Sequence, residues 1–135
     1  MIKAEISYGD DSYIVKICGH AGYAPKGQDI VWAGVSALSS ALLEAAVVYV
    51  NRENTAFFGA EVNDGCFEMR IIGVRDDGII SRMNALFLML RAGLEQIERQ
   101  YPSHLSLDIF EIPFKGNDNG TSEQTMNTYR EEDKG

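Results

Sequence analysis

Residues 2–8, IKAEISY, alternate strictly: Ile2, Ala4, Ile6 and Tyr8 fall on one side of an extended chain, Lys3, Glu5 and Ser7 on the other. That period of two predicts a half-buried strand. After the turn GDDS the alternation returns, with Tyr13, Val15 and Ile17 on one face and Ile14, Lys16, Cys18 and His20 on the other, so the two segments predict a hairpin. Residues 21–28, AGYAPKGQ, carry two glycines and a proline without any period, which predicts a loop. Asp29 then stands where a carboxylate caps a helix, accepting from the free N–H groups of the first turn. From Ile30 to about Tyr49 nearly every position is apolar and no polar face emerges. This pattern predicts a helix covered on most sides, between layers or in an oligomer interface.

The second half repeats the rhythm. Residues 56–62 and 66–72 flank Asn63-Asp64-Gly65 and predict another hairpin. Asp76 and Asp77 open a second long helix, whose apolar set Ile79, Ile80, Met83, Leu86, Phe87, Leu90, Leu94 and Ile97 keeps the i, i+3, i+4 spacing. Its wet face is expected to carry Arg82, Arg91, Glu95 and Arg99. After Pro102 the alternation of residues 104–112 predicts a last strand. The order β-β-α-β-β-α-β over residues 1–114 predicts an α+β domain, a mainly antiparallel sheet packed with two helices. From Lys115 onward the chain turns to Gly, Asn, Ser, Thr and charge, and residues 115–135 are expected to form a disordered polar tail.

Composition narrows the class. At 135 residues with 45% apolar and 24% charged positions, the chain predicts one soluble domain with a real core. A net charge of −8 argues against a phosphate-backbone binder, which needs clustered Lys and Arg, so no nucleic-acid partner is expected. The apolar run from Ile30 to Val50 is interrupted by Gly34, Ser36, Ser39, Ser40 and Glu44, so a buried helix is expected in place of a membrane span. No charged segment followed by an apolar one marks the start, and a cytoplasmic location is expected. Cys18 and Cys66 have no CxxC or HxxxH spacing around them; both are expected to be reduced and structural, with no metal site.

The chemistry-bearing residues crowd into residues 19–38, GHAGYAPKGQDIVWAGVSAL. Gly22 and Gly27 stand at phosphate-loop spacing, but Gln28 and Asp29 follow where Lys and Ser or Thr are needed, and an anionic Asp29 would repel phosphate. No nucleotide cofactor is therefore expected. His20 lies before a glycine-containing loop that leads to a helix N-terminus, whose partial positive charge favours a thiolate or an oxyanion. A cysteine early in that helix and facing His20 would make a thiol–imidazole pair. The chain places Trp32 there.

These residues resemble the ribosomal-processing cysteine proteases called Prp, whose pattern is a histidine, a glycine-containing loop and then G-x-D-I-V-C-A-x-V-S-A-L. His20, Gly27, Asp29, Ile30, Val31, Ala33, Val35, Ser36, Ala37 and Leu38 match it at the same spacing. The resemblance implies a cysteine endopeptidase that removes the N-terminal extension of a large-subunit ribosomal protein, works as a homodimer and needs no cofactor. It implies His20 as general base, Asp29 as the acidic residue of the site and Ser36 as the serine one turn beyond the nucleophile. Gly22, Tyr23 and Gly27 would line the substrate. The nucleophile falls at position 32, where an indole has neither thiol nor nucleophilic hydroxyl and cannot form an acyl-enzyme. The expected function is thus a catalytically impaired member that binds a peptide. The alternative is an active hydrolase using Cys18 or Ser36, with His20 as base.

Overall fold

The computed structural model describes residues 1–19, 26–63 and 65–111, the first helical turn at 26–29 by its backbone alone. Seven elements follow in order: β1 (Ile2–Gly9), β2 (Ser12–Cys18), α1 (Lys26–Tyr49), β3 (Thr55–Asn63), β4 (Cys66–Val74), α2 (Asp77–Gln100) and β5 (Leu105–Glu111). The expected α+β architecture and element order are found. The expected tail at residues 115–135, and with it the boundary at residue 114, lies outside the described residues.

The strands form one sheet in the order β3-β4-β2-β1-β5. Pairing is antiparallel throughout except between β1 and β5, where Ile2 sits beside Leu105 and Ile6 beside Ile109 in parallel register. Parallel neighbours need a long return connection, and here that distance is covered by most of the chain. Alternation decides which face is covered. Ile2, Ala4, Ile6, Tyr13, Val15, Ile17, Phe67, Met69 and Ile71 are buried, while Lys3, Glu5, Lys16 and Arg70 face water. Both helices supply the core beneath that apolar face, α1 through Val31, Val35, Leu42 and Ala46 and α2 through Met83, Phe87, Leu90 and Leu94.

The helices lie close because small residues meet large ones. A Cβ placed on Gly93 would come within 2.8 Å of Leu38 Cδ1, and one on Gly34 within 3.4 Å of Ile97 Cδ1. At the other end the Arg82 guanidinium stacks 5.3 Å over the Tyr49 ring. Asp76 caps α2 as expected, its Oδ1 accepting from Ile79 N–H at 3.1 Å.

Four expectations are corrected. Helix α1 starts at Lys26, not Ile30, so Asp29 lies inside the first turn and is not its cap. Residues 26–28, expected in the loop, belong to the helix. Arg91 is not on a wet face but 8% exposed, its guanidinium donating to Tyr8 Oη at 2.8 Å and lying 3.4 Å from Glu95 and 3.8 Å from Glu111. Within a single chain helix α1 is not covered on most sides, so coverage between layers does not account for it: 28% of its apolar span is buried, and Val48 is 73% and Ile30 56% exposed. It is long and apolar enough to cross a membrane by length and composition, and one of its faces is packed on the sheet and α2. Finally, Cys18 and Cys66 are not reduced but joined by a disulfide.

Candidate functional site

The site lies where β2 ends and α1 begins to cover the sheet. Apolar side chains at Ile17 and Phe67 face each other across β2 and β4 and anchor this end of the ladder. Cys18 and Cys66 are the last register pair, with Cα atoms 4.2 Å apart. That is the close spacing of a pair without mutual backbone bonds, near enough for two cysteines to be bridged. One residue on, Gly19 N–H donates to Gly65 carbonyl oxygen at 2.7 Å. The chain then enters residues 20–25.

Trp32 meets this strand end from the helix. A Cβ placed on Gly19 would lie 3.3 Å from Trp32 Cζ3 and 2.7 Å from Ile2 Cγ1, so glycine is what lets the indole and Ile2 close over the backbone there. Because α1 begins at Lys26, Trp32 stands in the second turn, one turn beyond the free N–H groups of residues 26–29. Half-buried, it packs on the edge of the core.

Below the ring runs a cavity of about 50 Å³ between α1 and the β3–β4 hairpin. Trp32, Ser36 and Ser40 line one wall, and Val62, Asn63 and Cys66 the other. The volume holds a few waters at most. Ser39, buried beside it, donates to Val35 carbonyl oxygen at 2.8 Å. Ser36 therefore sits on the same wall as Trp32, as its spacing of one turn implies.

Of the residues named from the sequence, Trp32 and Ser36 are brought together here. His20, Gly22 and Tyr23, and the side chain of Asp29, lie outside the described residues; Gly27 is in the first turn of α1. Cys18 is at this strand end, but its sulfur is bonded to Cys66, and a disulfide sulfur is no nucleophile. Sequence reasoning missed the far wall, Val62, Asn63 and Cys66. The Asn63-Asp64-Gly65 turn marks that hairpin end, but only tertiary pairing puts it opposite Trp32. No grouping of His, Cys, Asp and Glu among the described residues could hold a metal ion.

Electrostatic perturbation lies elsewhere. Tyr13, on β2 and inside the core, has its Oη 2.6 Å from Asn84 Oδ1 and 3.2 Å from Ile80 carbonyl oxygen. Burial first, then the charges of Asp11 and Asp10, raise its pKa well above the ordinary 10.0 and hold the phenol neutral. It is a structural group.

Residues 1–106 match the family described as cysteine protease Prp. The ribosomal processing cysteine protease Prp of Bacillus subtilis is 31% identical over 107 residues, spanning 78% of this chain and 94% of that protein. A Streptococcus mutans crystal structure superposes with a TM-score of 0.63 at 26% identity, covering 83% of this chain and 96% of the other. The essential ribosomal processing protease Prp of Staphylococcus aureus, solved with a substrate peptide, superposes with a TM-score of 0.65 at 24% identity, covering 81% and 99%. At that identity it speaks to the fold.

Proposed function

Because this chain belongs to the cysteine protease Prp family, we propose that it is a non-cleaving member that binds an extended peptide in the cleft between α1 and the β3–β4 hairpin. The carrying observation is Trp32. Its indole is wedged against Gly19, at the sequence position where the family pattern has its cysteine. It offers an N–H donor and an aromatic face, the equipment of a binding platform, and no atom that can attack a carbonyl. The peptide we propose is the one the sequence resemblance implies, the N-terminal extension of a ribosomal protein, held without covalent chemistry and without a cofactor; relatives named for ribosomal processing support that class. The protein acts in the cytoplasm, away from nucleic acid and membrane. A synthetic peptide spanning that extension, incubated with the full chain, should bind by fluorescence anisotropy and stay intact by mass spectrometry. Turnover that vanishes in Ser36→Ala would overturn the reading in favour of a serine nucleophile.

The protein works as a dimer through its helix layer. Ile30, Val47 and Val48 on α1 and Leu88 and Met89 on α2 are all exposed, an unusual load of apolar surface for one small domain. Sedimentation at micromolar concentration should give a dimer, and Val48→Glu with Leu88→Glu a monomer. A monomeric parent chain would refute this.

A further inference from the structure

We propose that the Cys18–Cys66 bond is a reversible latch on the peptide cleft, opened by a dithiol reductant. The inference rests on the peptide-binding reading above for its consequence, though not for its chemistry. Three features of the structure carry it.

The first is position. The bond closes the last register pair of β2 and β4, one residue before Gly19, and Gly19 is the residue on which Trp32 rests. Cys66 also lines the cavity beneath Trp32. Whatever loosens this strand end changes the space available to the indole.

The second is access. Both cysteines are half-buried on the face of the sheet that the helices leave open. They border a hollow of about 130 Å³ shared with Lys16, Glu61, Asn63 and Glu68. A thiolate can approach from that side; the Lys16 ammonium favours it and the departing cysteine thiolate, Glu61 opposes both, and Glu68 is paired with Arg70.

The third is redundancy. Ile17 and Phe67, the pair next to the cysteines, are 0% and 6% exposed, and the β2–β4 ladder runs from there back to Tyr13 and Ile71. The hairpin core is held by those contacts, so opening the bond frees the strand end and leaves the fold intact. In a reducing compartment, a bond that is accessible and dispensable for folding is suited to transient, redox-sensing use.

The step balances. One thiolate of the dithiol attacks a cystine sulfur, forming a mixed disulfide and expelling the other cysteine as a thiolate. The second thiol of the reductant then displaces the remaining cysteine. Two electrons pass to the protein, which takes up two protons as Cys18 and Cys66 thiols, and the reductant leaves as a cyclic disulfide.

The chain has a single tryptophan, Trp32, which makes its emission a local reporter. The full chain is equilibrated in graded dithiothreitol buffers, and thiols are counted by maleimide mass shift alongside Trp32 emission, far-UV circular dichroism and anisotropy of the labelled peptide. The oxidised protein should take no label and the reduced protein two. Emission should move with the same midpoint while far-UV dichroism holds, and peptide affinity should change by about fivefold or more. Cys18→Ser with Cys66→Ser should give one emission and one affinity in every buffer. Label taken up without reductant, unchanged emission and affinity on reduction, or loss of dichroism would each overturn the latch. A peptide that binds neither state would sink the peptide reading instead, with thiol count and emission still deciding the latch.

Discussion

Replacing Trp32 with cysteine tests whether the rest of a protease site survives around it. The indole is half-buried and rests on Gly19 beside a cavity of about 50 Å³, so Trp32→Cys removes a ring from a partly packed corner. Full truncation of a buried tryptophan costs about 3–5 kcal/mol, and at this half-exposed place roughly 2 kcal/mol is expected. Against a margin of about 5–15 kcal/mol the variant stays folded. The introduced thiol would stand on the helix wall near the strand end at Gly19. Loss of a nucleophile of this kind costs roughly 10,000- to 1,000,000-fold in rate, equivalent to about 5.5–8 kcal/mol of barrier, and that is the gain at stake. The assay is mass spectrometry of a ribosomal-extension peptide after incubation with the parent chain, Trp32→Cys, and Trp32→Cys combined with His20→Ala. Peptide mapping verifies that Cys18 and Cys66 remain paired. Cleavage by the single variant, reduced about 100-fold or more in the double one, is the expected result. A folded Trp32→Cys protein with a maleimide-reactive thiol and no cleavage refutes the reasoning, because position 32 would then not be the sole lesion.

Two further outcomes follow from the core. Tyr13 has a pKa raised above the ordinary tyrosine value, so its contribution to stability is complete below about pH 10 and is lost as pH rises towards the folded-state pKa. Urea unfolding at graded pH should show this alkaline decline shrink in Tyr13→Phe, which also costs about 1 kcal/mol at neutral pH for the lost hydrogen bond; an unchanged alkaline limb would refute it. Arg91→Ala strips the guanidinium shared by Tyr8, Glu95 and Glu111 and should cost about 2 kcal/mol in chemical denaturation with no effect on peptide binding, since this cluster joins the β1 and β5 ends remote from Trp32. A loss under 0.5 kcal/mol would mean that the cluster is solvated.

What the chain shows locally it shows well. Period-two alternation grouped Ile2, Ala4, Ile6 and Tyr8 on one face of β1 and Tyr13, Val15 and Ile17 on one face of β2, and all are buried except Tyr8, which is partly buried. The Asp76 cap and the i, i+3, i+4 rhythm of α2 were equally legible, because cap and stripe involve residues within a turn of each other. The spacing from His20 to Leu38 carried the family for the same reason: it is written in one continuous stretch.

Relations between distant residues were decided by the tertiary structure. Nothing in the sequence of α2 distinguishes Arg91 from Arg82, yet packing against Tyr8, Glu95 and Glu111 buries one and leaves the other at the surface. Cys18 and Cys66 are 48 positions apart, and their bond exists because β4 inserts between β2 and β3 and brings both to one end of the ladder. The same insertion sets Val62, Asn63 and Cys66 opposite Trp32. By itself the sequence determined the order of the elements, the sharing of faces in β1 and β2 and the absence of a thiol at position 32, since each follows from neighbours along the chain. The tertiary fold alone decided what surrounds that position, because strand order and register turn residues far apart in sequence into the two walls of one cleft.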